Sequence, residues 1–112
     1  MTTRAEFLKQ VWNQTINAPM TDAWIDAAMR SSARAPDGPF ADLGPALQRL
    51  LGAGASRRDL CLIARHASYE AVFQTLYMLD DPGVDGDETK MLHEELLHAD
   101  PSGRDGRPGS AP

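Results

Sequence analysis

Hydrophobic positions recur at three- and four-residue steps in several stretches of this chain, and no stretch supports a strand or an internal repeat. The first such stretch runs from Arg4 to about Ile16, where Phe7, Leu8, Val11, Trp12 and Ile16 form one apolar stripe. Thr3 and Glu6 stand before it at capping-box spacing, and Asn17-Ala18-Pro19 ends it, because proline disfavours helix at the residue before it. A second helix is expected after Thr21 as N-cap, with Trp24, Ile25, Ala28 and Met29 on its inner face. It fades through Arg30-Ser31-Ser32 into the turn-forming run Ala35-Pro36-Asp37-Gly38-Pro39, and Phe40 anchors the far side of that loop.

Pro45 suits the first turn of a short third helix, where its missing N–H is no loss. Ala46, Leu47, Leu50 and Leu51 supply the apolar face, and Gly52 and Gly54 suit a left-handed cap. Ser56 and Asp59 then open a long fourth helix that persists to about Leu79. Leu60, Ile63, Ala64, Ala67 and Ala71 lie on one side of it, and Leu62, Tyr69, Val72, Phe73, Leu76 and Leu79 fill much of the rest. A helix apolar on most sides is expected at the centre of its fold. A fifth helix follows from about Glu88 to His98, with Asp87 as N-cap and Met91, Leu92, Leu96 and Leu97 facing inward. The expectation is a compact all-α bundle of about five helices forming one domain over residues 3–99. The Gly- and Pro-rich residues 100–112 form a poorly ordered tail.

Composition narrows this picture. Alanine makes up 16 of the apolar residues, while Leu, Ile, Val and Phe together number only 21 of 112, so the core is small. Twelve residues in all are Val, Ile or Thr, which argues against a sheet-rich fold. A single cysteine, Cys61, excludes an internal disulfide framework and any multi-cysteine metal site. The early charges Arg4, Glu6 and Lys9 are unlike a signal peptide, and the longest uncharged apolar stretch of the most hydrophobic helix, Ala71 to Leu79, is short of the roughly 20 residues of a membrane span. A cytoplasmic protein with a free thiol is expected, with no membrane association.

Motifs of catalysis and metal binding are weak. His93-Glu94-Glu95-Leu96-Leu97-His98 looks like a zinc-protease string, but its histidines are five apart instead of four. They diverge by roughly 140° around a helix. The loop Asp81–Glu88 aligns Asp81, Asp85, Gly86 and Asp87 with an EF-hand, but Gly83 and Leu92 stand where two carboxylates are needed. Cys61 and His66 sit five apart on diverging faces, and no phosphate loop or nucleophile elbow occurs. No cofactor, no metal and no enzymatic activity is expected. Arg65, His66, Tyr69, Glu70 and Gln74 interrupt the long helix at four-residue spacings; with His93 they are the candidate polar pocket. His98 extends this small-molecule or metal-site alternative.

Charge carries more. The formal net charge is −5, yet residues 1–56 hold five basic and five acidic side chains. The excess lies after Ser56: between Asp80 and Asp100 there are eight acids and only Lys90. An acidic balance argues against direct nucleic-acid binding. Such a field attracts a cationic partner and speeds its encounter. The candidate partner-binding residues are Asp80, Asp81, Asp85, Asp87, Glu88, Glu94 and Glu95, facing a protein with a basic surface in the manner of an inhibitor or immunity protein. Trp12, Trp24 and Phe40, if partly exposed in so short a chain, allow a homodimer.

Several short phrases add a resemblance: Pro39-Phe40-Ala41-Asp42-Leu43-Gly44, Tyr69-Glu70, Leu79-Asp80-Asp81-Pro82-Gly83, Leu92-His93-Glu94, and Ala99-Asp100-Pro101-Ser102-Gly103-Arg104. Over about residues 40–107 the chain resembles a set of small uncharacterised bacterial proteins with no assigned activity. The resemblance implies no functional residue. It does imply that the Asp-Pro-Ser-Gly-Arg segment is docked.

Overall fold

The computed structural model describes residues 3–80 and 95–105, and of Asp80 the backbone only. Among them stand four α-helices and no strand: α1 (Arg4–Val11), α2 (Ala23–Arg34), α3 (Leu43–Gly52) and α4 (Arg57–Asp80). The all-α class holds. About five helices are expected; four α-helices stand among the described residues, and most of the expected fifth lies outside them. Its end is seen as helical Glu95 and Leu96 running into a 3-10 turn, Leu97–Ala99.

The chain divides into two compact units: a middle unit, Pro19–Arg65, and a terminal unit, Met1–Ala18 with His66–Pro112. Residues 57–65 of α4 belong to the first and 66–80 to the second.

In the terminal unit, Thr3 caps α1 as its spacing with Glu6 implies: Thr3 Oγ1 accepts from the Glu6 N–H at 3.1 Å. Beyond Val11 the helix widens into a π turn, Trp12–Ile16, closed by the Asn17 N–H on the Trp12 carbonyl at 2.8 Å. Four residues of α-helix overshoot a full turn by about 40°. The wider turn takes up part of that excess, so Leu8, Trp12 and Ile16 are all buried in one cluster with Leu76 and Leu96. Phe7 leaves the expected stripe and is exposed. Tyr69, Val72, Phe73 and Leu79 of α4 pack around the cluster.

The middle unit has its own core of Ile25, Leu47, Leu60 and Cys61. Helix α2 does not use Thr21 as its cap. Asp22 holds the N-cap position without a side-chain cap bond, because its carboxylate is engaged by Arg57. Nor does α2 fade at Ser31-Ser32. Buried Ser32 stays helical and its Oγ accepts the Gly44 N–H at 2.9 Å. A Cβ on Gly44 would lie 2.6 Å from both Cβ and Oγ of Ser32, so only glycine lets α3 approach α2 this closely. At the far end of α3, Gly54 takes φ +102°. The N–H groups of Gly54 and Ala55 donate to the carbonyls of Leu51 and Leu50 at 3.1 and 3.0 Å, the paired bonds of a Schellman cap.

Two further expectations are corrected. Phe40 does not anchor its loop: it is 85 % exposed at φ +59°, and the loop is held by backbone bonds such as Ala41 N–H to the Gly38 carbonyl. Helix α4 is not buried on most sides, since Ile63 and Met78 are each 67 % exposed. It gives one set of residues to each core and leaves the rest of its surface to solvent, as its mixture of apolar and polar positions allows.

Candidate functional site

The terminal unit holds an open groove of about 470 Å³ beside Arg4, Ala5, Leu8 and Lys9 of α1. Its construction starts at Trp12, whose indole Nε1 donates to the Leu96 carbonyl at 2.6 Å. Leu96 is fully buried, so this bond holds the second wall beside α1. One residue earlier, Glu95 Oε2 accepts from Arg4 Nε at 2.6 Å. The chain then turns sharply. The Asp100 N–H donates to the Leu97 carbonyl at 3.3 Å and the Gly103 N–H to the Asp100 carbonyl at 2.9 Å. The buried Asp100 carboxylate accepts the Ser102 N–H at 3.0 Å, the local bond that makes aspartate a turn former. His98 Nδ1 lies 3.4 Å from Asp105 Oδ1. Leu8 and Ala99 supply apolar lining, and Arg4, Lys9, Glu95, His98 and Asp100 supply the charge or polarity.

The same unit carries an aromatic ladder, with ring centroids at 5.8 Å for Trp12–Tyr69, 6.2 Å for Tyr69–Phe73 and 6.5 Å for Phe73–Tyr77. Partial burial, with a smaller push from the Glu70 charge, raises the Tyr69 phenol above its ordinary pKa.

The residues singled out from sequence fall in different places. His66 Nε2 and Glu70 Oε1 meet at 3.3 Å, but both are exposed, as is Gln74. Tyr69 is turned into the aromatic ladder, and Arg65 is half-buried. None of these five lines either described cavity. Of the acidic set, Asp80 is the last residue of α4 and Glu95 is paired with Arg4. Asp81, Asp85, Asp87, Glu88 and Glu94, and likewise His93, lie outside the described residues. Among the described residues, no group of three or more His, Cys, Asp or Glu side chains is placed to hold a metal ion. No described helix is long and apolar enough to cross a membrane.

Sequence reasoning missed the strongest polar cluster. In the middle unit, Arg57 Nε donates to Asp22 Oδ2 at 2.7 Å, and its two terminal nitrogens reach the two oxygens of Asp26 at 2.7 and 3.3 Å. A guanidinium fork matches a carboxylate in this way. These hydrogen bonds outweigh desolvation and raise the already high pKa of Arg57 further. The i, i+4 spacing of Asp22 and Asp26 was the available signal for one helix face; nothing local pointed to Arg57. Next to the clamp, a cavity of about 250 Å³ is lined by Met20, Thr21, Asp22, Arg58 and the buried free thiol of Cys61.

Comparison of the chain with protein-family models, with curated proteins and with solved structures found no match.

Proposed function

We propose that this protein is a non-enzymatic interaction domain of the cytoplasm that binds the basic surface of a partner protein through the stretch Asp80–Glu95. One observation carries the reading: between Asp80 and Asp100 the chain places eight acidic residues against Lys90 alone. A field of one sign raises the rate of encounter with a cationic surface and selects against acidic ones. The placement of the stretch supports it. Leu79 and Leu96, just inside and just beyond its ends, pack in the same core cluster, so the stretch starts and ends on the terminal unit. Asp81, Asp85, Asp87 and Glu88 supply most of the charge, and Glu95, already paired with Arg4, closes the stretch.

The test is an affinity capture with the full chain and with a D81N/D85N/D87N/E88Q variant, at low and high ionic strength. A specific partner retained by the wild type at low salt, released at high salt and lost by the variant is the expected result. A partner held equally by both proteins, or indifferent to salt, overturns the reading.

A further inference from the structure

We propose that the groove between α1 and the turn following Leu97 binds a small organic carboxylate with an apolar body. At about 470 Å³ the groove lies within the range of small-molecule pockets, about 300–1,000 Å³. Its lining pairs an apolar floor, Leu8 and Ala99, with charged residues whose commitments differ. Both acids are engaged by the chain itself: Glu95 accepts from Arg4 at 2.6 Å, and Asp100 accepts the Ser102 N–H at 3.0 Å. Lys9 has no hydrogen bond or ion pair among the described residues. It stands one helical turn from Ala5 on the same face and next to Leu8. Lys9 is thus a cation of the groove with no internal partner among the described residues, and it stands beside an apolar surface. That pairing favours an anionic head on the Lys9 ammonium with a hydrocarbon body against Leu8 and Ala99. His98, whose Nδ1 lies 3.4 Å from Asp105 Oδ1, also lines the groove.

The experiment is an NMR titration of the full-length protein with hexanoate, with hexylamine and with inorganic phosphate. Hexanoate is expected to shift the amides of Ala5, Lys9, Ala99 and Gly103 saturably, about tenfold more tightly than the other two probes. K9Q should weaken hexanoate about tenfold, the effect of removing one hydrogen bond to a charged group, and K9R should restore it. Lys9 is exposed, so neither variant threatens the fold. Absence of saturable shifts at these residues overturns the proposal. So does equal binding of hexylamine, equal binding of phosphate, or K9Q behaving as the wild type.

Discussion

The middle unit is cut from one continuous run of chain, residues 19–65, whereas the terminal unit joins residues 1–18 to those after Arg65. Their stabilising contacts differ accordingly. The middle unit brings α2 and α3 together on small residues, Ser32 against Gly44, and adds the Arg57 fork on Asp22 and Asp26. The terminal unit relies on large side chains that meet across the chain: Trp12 on Tyr69 and on the Leu96 carbonyl, and Arg4 on Glu95. A long sequence separation makes ordering costly before any contact forms. A large aromatic offsets that cost with much buried area in one residue. A local helix pair can succeed with close approach and one buried hydrogen bond.

The most damaging single change expected from this contrast is Trp12→Ala. Trp12 is 1 % exposed and joins α1 to both other parts of its unit. Truncation of a buried aromatic costs about 3–5 kcal/mol, and the orphaned Leu96 carbonyl adds to it. Amide exchange should then speed up most in residues 3–18 and 66–105. Uniform loss of protection across 19–65 would break the comparison, because it would make the two units one cooperative body.

The matching test of the middle unit is Gly44→Ala. Its Cβ would fall 2.6 Å from Ser32 Cβ, and overpacking of this kind costs about 1–3 kcal/mol. The change sharpens further in a cycle with Ser32→Gly, which removes the two atoms at 2.6 Å from the new Cβ and leaves the Met29 Cα at 3.2 Å. Urea denaturation should show the double variant less destabilised than the two single losses together. Simple additivity would mean that the close approach of α2 and α3 is not what the Gly44 position enforces.

Local features of this fold were legible in the sequence and long-range ones were not. Thr3 with Glu6, Ser56 with Asp59, and Gly54 after Leu51 are signals contained within a few residues, and the structure forms the two caps and the left-handed cap there. Asp22 shows where such reading stops. A carboxylate at a helix start reads as a cap or a first-turn acid, but a guanidinium 35 residues away competes for it with a stronger, charge-assisted bond. The same limit governs the candidate site. Four-residue spacings set His66, Glu70 and Gln74 along α4, where His66 and Glu70 meet, but periodicity does not say which face of a helix is covered. The groove beside Lys9 had no spacing to betray it, because its two walls come from opposite ends of the chain.

The caps allow a smaller, balanced test. Thr3→Ala removes the acceptor for the Glu6 N–H in the terminal unit, and Ser56→Ala removes the one for the Asp59 N–H in the middle unit. Each should cost about 1 kcal/mol. Exchange should rise only in the first turn of the affected helix, whatever the unit. A cap change that loosened the whole terminal unit would show that α1 depends on its own helical stability more than on Trp12.

The smallest effect is expected in alkali, and it is confined to the terminal unit. Tyr69 has its pKa raised in the folded chain, chiefly by burial against Trp12 and Phe73. The folded state thus holds the phenol proton at a pH where the unfolded chain has released it. The stability from this group is complete below the ordinary tyrosine pKa of about 10. It declines as pH rises past that value towards the folded pKa, since the unfolded state then binds fewer protons. Tyr69→Phe keeps the ring and removes the titration. Its denaturation midpoint should therefore fall less steeply above about pH 10 than that of the wild type, while the two run parallel near neutrality. Parallel curves throughout would place the Tyr69 hydroxyl in solvent and leave the Trp12–Tyr69 contact as a meeting of ring faces alone.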